Sequence, residues 1–302
     1  MDKQFKHQSL VSIIMNCYNG ETYLNESIGS VLSQTYKNWE LIFWDNKSED
    51  KSAEIFKRYK DKRFKYYLAN KHTSLYQARN LAIEKSKGDF IAFLDTDDLW
   101  SENKLELQMD YFSEIEVGVV FSNCWILKKN KKKSLYINKK LPSGKIFNEL
   151  VNNYNLGILT TIIRRKFFLE LIKKFDERFS IIGDFDLFLR LSKICLFKPV
   201  QQPLASYRLH DKNLSKLSKG KELEETEIWL KENKLNLSEL QIKKLYKKVD
   251  NMKFVNYKID KNYKECLKIL FKSPINLFNI KNLIILLMPI SILKKLLWYD
   301  QY

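Results

Sequence analysis

Residues 89–100 read "DFIAFLDTDDLW". In this stretch a short apolar run ends in an acidic cluster formed by Asp95, Asp97 and Asp98. Three carboxylates this close together repel one another, which makes the cluster unfavourable unless a cation lies beside it. The stretch therefore predicts a buried β-strand with a cation-binding site at its carboxyl end.

Three similar apolar runs, rich in β-branched and aromatic residues, precede this strand at residues 10–15, 40–45 and 64–69. Helical patterns lie between the runs, at residues 22–34, 50–59 and 74–86. Short apolar runs predict buried strands, and their alternation with helices predicts a mostly parallel sheet with right-handed crossovers. The predicted fold class is therefore α/β, with a Rossmann-like central sheet flanked by helices.

Polar segments follow three of these strands: "NCYNGE" (16–21), "DNKSED" (45–50) and "DTDD" (95–98). Open α/β sheets bind their ligands beyond the carboxyl ends of the parallel strands. We therefore expect the three segments to meet at one edge of the sheet and to form one site there.

The pattern is less regular beyond residue 100. Strands are predicted at residues 117–127, 157–165 and 203–210, and helices at residues 102–112 and 184–194. Residues 128–140 predict an exposed hairpin or a mobile loop. The pattern is helical from residue 218 onward. We therefore predict an α/β domain at residues 1–217 and a helical C-terminal appendage at residues 218–302.

The net charge of +17 is distributed unevenly along the 302 residues. Residues 1–110 carry a net charge of −1, and residues 111–302 carry +18. A basic surface could bind the phosphates of nucleic acid, an anionic lipid or an acidic glycan carrier. The lysines could equally be solvated without a partner. The lysine run at residues 128–133 could be a solvated loop or could contact an anionic lipid surface or carrier.

The four cysteines are far apart and form no CxxC pair, which favours a reducing compartment. The N-terminal apolar run is too short for a signal peptide, so we expect a cytoplasmic location. The uncharged stretch at residues 283–293 is shorter than the roughly 20 residues that span a bilayer. With the charged and aromatic residues at 294–299, it suits a helix lying on an anionic membrane, at the inner face of the cell membrane, or a terminal helix packed on the domain.

Carboxylate oxygens at a strand end favour a hard divalent cation, Mg²⁺ or Mn²⁺, which would hold a diphosphate. The sequence contains no GxxxxGK[ST] motif, which excludes a P-loop NTPase. It also has no GxGxxG after the first strand, which excludes the usual dinucleotide-binding loop.

Four segments resemble an inverting glycosyltransferase of family 2 with a GT-A fold. They read "VSIIMNCYNGETYLNESIGSVLSQTYKNWELIFWDNKSED" (11–50), "YQARNLAIEKSKGDFIAFLDTDDLW" (76–100), "GDFDLFLRL" (183–191) and "ASYRLHDKNLS" (205–215). The resemblance extends from about residue 9 to residue 215, with the motifs in the order typical of the family.

The resemblance implies roles for residues on the donor side of the site. Tyr18, Asn19 and Asp45 match the family's pocket for the base and ribose of the nucleotide. Arg79 matches the arginine of the family's "ARN" segment, near the nucleotide and its phosphates. Asp95 matches the first acid of the DxD region and is expected to contact the nucleotide sugar.

The resemblance also implies a metal site and a base. Asp97 and Asp98 match the metal-binding part of the DxD region, with Asp97 also contacting the donor, and His210 matches a histidine close to the metal. Asp184 falls where the family has its catalytic base. The implied enzyme moves a sugar from a nucleotide-diphosphate sugar, with a UDP-sugar favoured, to a glycan or lipid-linked acceptor in bacterial surface-polysaccharide synthesis. Its cofactor is Mn²⁺ or Mg²⁺, and no nucleic-acid partner is expected.

Three departures from the family's pattern stand beside these matches. Asn16 occupies the place of a usual Pro, Asn46 and Lys47 replace the commoner Asp-Gly, and Gly183 replaces the Glu that commonly precedes the base. These changes leave the reaction type intact and the identity of the nucleotide and sugar open.

Local structural roles are the alternatives for the same residues. Asp45 could cap the turn that follows it, and Arg79 could pair with Glu84 or with a neighbour. Asp184 could favour the start of its helix, where acids interact well with the helix dipole. His210 could be an ordinary histidine at a strand end.

Two rival functions remain open from the residues. "FLDTDDLW" (93–100) is similar to the DxDxT motif of haloacid dehalogenase phosphatases, but Leu99 stands where the pattern needs Thr. A binding protein is the second rival, either a nucleic-acid binder or a catalytically silent member of the transferase fold.

Overall fold

The computed structural model describes residues 9–128, 133–214, 218–271 and 277–293. The chain folds as two compact units, Met1–His210 and Asp211–Tyr302. The predicted domain boundary, between residues 217 and 218, lies seven residues after the division between these two units. The exact position of the boundary stays a prediction.

The first unit is an α/β domain. Its described strands are β1 (Val11–Cys17), β2 (Trp39–Asp45), β3 (Phe64–Leu68), β4 (Phe90–Phe93), β5 (Leu99–Trp100), β6 (Val117–Leu127), β7 (Lys133–Leu135), β8 (Ile162–Arg164) and β9 (Leu196–Arg208). Its described α-helices are α1 (Leu24–Leu32), α2 (Ser52–Arg58), α3 (Leu75–Glu84), α4 (Lys104–Met109), α5 (Phe147–Asn152), α6 (Arg165–Glu170) and α7 (Gly183–Ile194). Two short 3₁₀ helices lie at Asp110–Ser113 and Ile158–Thr160.

The strands form one sheet in the order β3-β2-β1-β4-β8-β6-β9-β5, and β7 pairs with β6. Strands β1 to β4 are parallel, which confirms the predicted alternation of strands and helices in this part of the chain. Strand β2 is buried along its whole length, as expected for a parallel strand covered on both faces. The other half of the sheet adds antiparallel pairs of β8 with β4 and β6.

Helices α1 to α3 confirm the three predicted helices with slightly shorter bounds. Ser74 caps the start of α3, since its side chain accepts a hydrogen bond from the Gln77 backbone N–H. This hydrogen bond satisfies one of the N–H groups that the first turn of a helix leaves without a partner.

The strand predicted at residues 157–165 is mostly wrong, because only Ile162–Arg164 is a strand and a 3₁₀ helix precedes it. Strand β9 begins earlier than predicted, since it pairs in parallel with β6 along its length. Pro203 lies opposite Asn123 at a register irregularity of this pair, as expected because proline cannot donate to a β-ladder. The short helices α5 and α6 were not predicted.

The hairpin alternative for residues 128–140 is confirmed by β7, which pairs antiparallel with the end of β6. Residues 129–132, within the lysine run, lie outside the described residues. The hydrophobic core of the domain includes Val11, Ile13, Phe43, Phe90 and Leu105. Cys17, Cys124, Cys195 and Cys266 are buried and free.

The second unit consists of helices in its described part: α8 (Lys219–Asn233), α9 (Glu239–Ile259), α10 (Tyr263–Phe271) and α11 (Leu277–Leu287), with a 3₁₀ turn at Lys234–Asn236. A small core of Phe254, Cys266, Ile269 and Leu270 joins α9 and α10, and Ile285 and Leu286 of α11 pack against it. None of the helices in the described part of the chain has the length and apolar character needed to cross a bilayer. The predicted interfacial residues Lys294, Lys295, Trp298 and Tyr299 lie outside the described residues.

Candidate active site

The carboxyl ends of β1, β2 and β4 lie side by side, because these strands are parallel neighbours in the sheet. The segments after β1 and β4 approach closely, since a Cβ atom at Gly20 would lie 2.6 Å from Thr96 Oγ1. The Ser27 hydroxyl on α1 lies 2.8 Å from the Thr96 carbonyl oxygen and 2.7 Å from that of Asp98. The expected meeting of the polar segments at one edge of the sheet is confirmed.

Tyr18 is exposed after β1 and packs against His72, with 4.2 Å between the ring centroids. The Asn46 side chain holds the His72 loop, because its oxygen accepts from Thr73 N (3.1 Å) and its nitrogen donates to Thr73 O (2.8 Å). An exposed aromatic ring held in this way offers a stacking surface for a planar group such as a nucleotide base.

Asn19 joins the loops that follow β1 and β2. Its side-chain oxygen accepts from Glu49 N (2.8 Å), and its own backbone N–H donates to Ser48 Oγ (3.1 Å). Its backbone adopts a left-handed conformation (φ 53°), which asparagine tolerates better than most residues. Asn19 therefore fixes the loops after β1 and β2 relative to each other, in the part of the site where the nucleotide donor is predicted to bind.

Asp45 ends β2 and is buried. One carboxylate oxygen accepts from the Ser48 backbone N–H and the other from the Tyr66 hydroxyl, each at 2.7 Å. Burial and this hydrogen bond raise the pKa of Tyr66. The turn-capping alternative for Asp45 is therefore correct, and a contact of Asp45 with a nucleotide stays a prediction.

Arg79 lies on α3, is buried, and directs one guanidinium nitrogen to both carboxylate oxygens of Asp95, at 2.8 and 3.0 Å. Burial is the largest single effect and lowers the pKa of Arg79, but Asp95, Tyr76 and Asp184 together outweigh it, so the pKa is raised above its ordinary value. The alternative pairing with Glu84 is wrong, since Asp95 is the partner. Because 35% of the Asp95 side chain is exposed, its carboxylate remains accessible.

Asp97 meets His210, which comes from the far end of the domain sequence. His210 Nε2 lies 2.8 Å from an Asp97 carboxylate oxygen, and both side chains are partly exposed. The His210 ring also packs near Tyr23, with 5.3 Å between the centroids. The structure therefore brings two of the three predicted metal ligands together.

Asp98, the third predicted ligand, is only 1% exposed and accepts a hydrogen bond from the Arg208 backbone N–H at 2.9 Å. Arg208 also donates from Nε to the Asp97 carbonyl oxygen (2.9 Å) and pairs with Glu26 (2.8 Å). Burial and the neighbouring Asp97 and Asp95 raise the pKa of Asp98 well above its ordinary value. The carboxyl group thus fastens the end of β9 to the acidic segment, and its role as a metal ligand stays a prediction.

Asp97 and His210 offer one oxygen and one nitrogen ligand at a single point. Across residues 9–128, 133–214, 218–271 and 277–293, no group of three or more His, Cys, Asp or Glu side chains could hold a metal ion by itself. Mg²⁺ sites in nucleotide enzymes typically combine one or two protein ligands with substrate phosphates and water. The pair therefore fits a divalent cation whose coordination a bound diphosphate completes, and it does not form a closed protein cage.

Asp184 lies in the first turn of α7 and is half-buried. One of its carboxylate oxygens accepts from the Phe185 backbone N–H (2.8 Å) and lies 3.3 Å from the Tyr76 hydroxyl. Burial raises the pKa of Asp184, and the opposing effects of Arg79 and of the hydrogen bonds only partly offset it. A carboxylate in this state accepts a proton more readily than an exposed aspartate does.

Helix α3 connects the two sides of the candidate site. Arg79 holds Asp95 next to β4 and also interacts electrostatically with Asp184. Tyr76, one turn before Arg79, and Asn80, the residue after it, contact the segment that leads into α7. The acidic cluster and Asp184, which come from distant parts of the sequence, therefore share one supporting helix.

Several residues of the site were not predicted from the sequence. His72 and Tyr76 lie in loop and helix positions whose only signal is their closeness to Arg79 along the chain, and Arg208 stands two residues before His210. The Tyr154 hydroxyl is buried near Asp184 and interacts with it electrostatically. Tyr154 belongs to no predicted element, so no sequence signal pointed to it.

The mostly parallel sheet with flanking helices, and with polar segments at the carboxyl ends of its parallel strands, has the architecture of a GT-A glycosyltransferase. The chain belongs to glycosyl transferase family 2, whose sequence model matches residues 12–190. The predicted family, fold class and enzyme class are thereby confirmed, and the dehalogenase-like alternative is wrong.

Two kinds of similarity accompany the family match. The chain is 35% identical over 184 residues to WfgD of Escherichia coli, named as UDP-Glc:alpha-D-GlcNAc-diphosphoundecaprenol beta-1,3-glucosyltransferase, and the match covers 61% of this chain and 70% of WfgD. Its fold is similar to Staphylococcus aureus TarS residues 1–349, solved with UDP-GlcNAc, with a TM-score of 0.65, 16% identity, and coverage of 86% of this chain and 79% of that one.

A third similarity is to the mannosyltransferase PcManGT of Pyrobaculum calidifontis, solved with GDP-Man and Mn²⁺. The TM-score is 0.61 and the identity 12%, over 94% of this chain and 83% of that one. At such identities the two solved structures show the GT-A fold alone.

Proposed function

We propose that this protein transfers a sugar with inversion from a nucleotide-diphosphate sugar to an acceptor hydroxyl, with Asp184 as general base. The observation that supports the proposal is the position of Arg79, which binds Asp95 and interacts electrostatically with Asp184. Inversion needs the acceptor to attack the anomeric carbon from the side opposite the diphosphate. Helix α3 supports both the base, Asp184, and the donor-binding cluster around Asp95. A shared support of this kind suits a reaction in which base and diphosphate must lie on opposite sides of one sugar.

In the proposed reaction the acceptor oxygen bonds to the anomeric carbon while the bond between that carbon and the diphosphate oxygen breaks. The Asp184 carboxylate takes the proton of the acceptor hydroxyl, and the diphosphate leaves with the bonding electron pair. General bases typically contribute about 10²–10⁴-fold to such steps. Burial raises the pKa of Asp184, which brings the carboxylate closer to the working range of a general base.

Asp97 and His210 would hold the Mg²⁺ or Mn²⁺ ion, with Asp98 as a further candidate ligand. When bound, the cation supplies Lewis-acid stabilisation of the departing diphosphate. Arg79 orients the Asp95 carboxylate beside the donor, and Arg208 keeps the acidic segment against the end of β9. These side chains prepare the position of the donor before the acceptor arrives.

The donor base and ribose would lie against Tyr18, Asn19 and Asp45, and we infer a UDP-sugar as the donor. WfgD is named for UDP-Glc, and TarS was solved with UDP-GlcNAc. The acceptor would be a glycan or a lipid-linked sugar, as the diphosphoundecaprenol in the name of WfgD suggests for this class of enzyme. The corresponding process is bacterial surface-polysaccharide synthesis, such as that of lipopolysaccharide or capsule.

The proposal is tested by the variant Asp184→Asn, assayed for transfer and for binding of UDP in the presence of Mn²⁺. Transfer should fall by at least about 10²-fold while nucleotide binding is retained, because only the proton acceptor is lost. The matched control is Asp186→Asn, which changes a carboxylate on the same helix that pairs with Arg190 instead. Unchanged transfer in Asp184→Asn would rule out its role as base.

A screen of sugar nucleotides for slow hydrolysis without acceptor would identify the donor. The wild-type protein could bind sugar nucleotides in a metal-dependent way and yet show no turnover with any donor or acceptor tried. That result would support the catalytically silent alternative. Preference for DNA over sugar nucleotides would reject the transferase.

We infer that the protein works in the cytoplasm, in peripheral contact with the inner face of the cell membrane. Its buried free cysteines suit a reducing compartment. In the second unit, α11 exposes Leu283, Ile284 and Leu287 next to Lys281. Apolar side chains beside lysines suit the surface of an anionic membrane.

A further inference from the structure

Tyr76 is a buried residue of α3 whose hydroxyl points at the start of α7. The hydroxyl oxygen lies 3.0 Å from the Ile181 carbonyl oxygen and 3.3 Å from an Asp184 carboxylate oxygen. Only 2% of the residue is exposed, so the ring has little freedom to leave this position. Tyr76 therefore holds both the backbone before α7 and the carboxylate of Asp184.

Gly183 makes room for the Tyr76 ring. A Cβ atom at Gly183 would lie 2.5, 2.6 and 2.8 Å from three ring carbons of Tyr76, which is closer than real Cβ contacts come. Any other residue at position 183 would have to displace the ring. The departure from the family's usual Glu at this position thus has a physical reason, because a tyrosine of α3 occupies the space.

Neighbouring contacts fix the ring from its other sides. Tyr76 stacks on Phe175, with 5.2 Å between the centroids and 23° between the planes. Asn80, one turn along α3, donates to the Phe175 carbonyl oxygen and accepts from the Phe175 backbone N–H. The stack and the amide contacts leave the Tyr76 hydroxyl a narrow range of positions next to Asp184.

We propose that Tyr76 is a positioning residue for the Asp184 carboxylate and that Gly183 is its obligatory packing partner. The inference depends on the proposed function, because a base needs positioning only if Asp184 is the base. The single proton of the Tyr76 hydroxyl is shared between the Ile181 carbonyl oxygen and the Asp184 carboxylate, and the part directed to Asp184 stabilises the ionised carboxylate and fixes the position of that oxygen.

Three ionisable side chains surround Asp184: Tyr76 and Arg79 from α3, and Tyr154 from the segment after α5. Burial raises the pKa of Asp184, whereas Arg79 and the tyrosine hydroxyls lower it. Removal of the Tyr76 hydroxyl therefore takes away a lowering effect and raises the pKa of Asp184 further. Because the base must be ionised, the acid limb of the pH profile of kcat should then move to higher pH.

The test is Tyr76→Phe, which keeps the ring and removes only the hydroxyl. We expect kcat to fall about tenfold, as for one lost hydrogen bond to a charged group, with an unchanged KM for the sugar nucleotide and a shifted acid limb. The control is Tyr36→Phe, which removes another buried tyrosine hydroxyl, bonded to the Ser9 carbonyl oxygen at the amino-terminal edge of the sheet. Tyr36→Phe should change neither kcat nor the acid limb of its pH profile.

Outcomes of this test separate the inference from the proposed function. If Asp184→Asn abolishes transfer while Tyr76→Phe leaves both kcat and the acid limb unchanged, the positioning role of Tyr76 is overturned and the base remains. If Asp184→Asn leaves transfer intact, the proposed function fails, and the inference fails with it.

A double-mutant cycle tests the packing of Gly183 on Tyr76 through the free energy of unfolding. Gly183→Ala should destabilise the wild-type protein clearly, and should cost far less in a Tyr76→Ala background, where the ring is absent. Equal losses of stability in the two backgrounds would contradict the proposed partnership. This measurement needs no substrate, so it is decided independently of the catalytic assay.

Discussion

Arg79 carries a charge into the interior of the domain. Only 3% of its side chain is exposed, and Asp95 is the carboxylate that compensates the charge. A buried cation left without its partner is strongly unfavourable, because desolvation is no longer offset by the opposite charge. The ion pair therefore links the stability of the domain to the geometry of the acidic cluster.

The variant Asp95→Asn should lower the free energy of unfolding by about 1–3 kcal/mol, because the exposed side of Asp95 lets water replace part of the lost interaction. Urea denaturation of the protein without ligands measures the change. Glu54→Gln is the control, since it removes one partner of an exposed ion pair with Arg58, and should change stability by less than about 0.5 kcal/mol. Equal stability of Asp95→Asn and wild type would show that Arg79 is compensated by other groups.

Asp176 gives a prediction for the pH dependence of stability. Burial alone would raise its pKa, but hydrogen bonds from Arg178 and Lys173 outweigh burial and hold the pKa well below its ordinary value. A depressed pKa in the folded state contributes stability above the ordinary pKa of aspartate, and this contribution is lost as the pH falls below it.

The wild-type protein should therefore lose more stability than Asp176→Asn between about pH 6 and about pH 3. Thermal unfolding at a series of pH values checks the difference. Parallel curves for the two proteins would mean that Asp176 has the same pKa in the folded and unfolded chains.

At the scale of elements, α3 is the scaffold of the candidate site. Its Arg79 side approaches β4, while Tyr76 and Asn80 hold the chain before α7. Residues three and four apart lie on adjacent parts of a helix surface, so one short helix can serve both partners. The relative position of donor cluster and base thus depends on the packing of a single element.

Asn80→Ala should loosen the segment before α7. The Phe175 backbone N–H and carbonyl oxygen would both lose a buried partner, which costs about 2–4 kcal/mol in total. Thermal unfolding should show a lower Tm, and hydrogen exchange should become faster at residues 173–184. Lys85→Ala, a truncation of the exposed residue that ends the same helix, is the control, and equal exchange in both variants would contradict the scaffold role.

At the scale of the whole molecule, the basic charge is concentrated outside the first 110 residues. Residues 211–302 carry 19 lysines against 11 acidic residues. The electrostatic attraction that this positive charge exerts is long-ranged only at low salt, since mobile ions screen interactions beyond about 10 Å at an ionic strength of 0.1 M. A contact with an anionic surface should accordingly weaken with ionic strength.

The full-length protein should sediment with vesicles that contain anionic lipid and much less with neutral vesicles, and salt should reduce the binding. Combined replacement of Leu283, Ile284 and Leu287 by Ser should weaken binding further, because these exposed side chains would enter the interface. Ile172→Ser, a change at an exposed apolar residue of the first unit, is the control. Equal binding to neutral and anionic vesicles would remove the electrostatic part of the proposal.

The agreement between sequence and structure differs between the halves of the domain. Strands β1 to β4 and helices α1 to α3 follow from local patterns, because β1, β2 and β4 are buried strands and the helices alternate with the strands along the chain. The edge strand β3 is the exception, since it is only partly buried and not the buried strand that was predicted. The later strands pair with partners distant in the chain, as β9 does with β6. Local patterns do not encode such pairings, and the bounds of β8 and β9 were missed for that reason.

The amino-acid sequence alone determined the α/β class, the family, and the edge at which Tyr18, Asn19, Asp45 and the acidic cluster meet. Parallel strands that follow one another in the chain bring their carboxyl ends together, so local order was enough. Only the tertiary structure decided that Arg79 binds Asp95, that Asp98 turns to the Arg208 backbone, and that Tyr76 fills the space above Gly183. These contacts depend on how side chains from distant elements pack, and packing is a property of the folded chain as a whole.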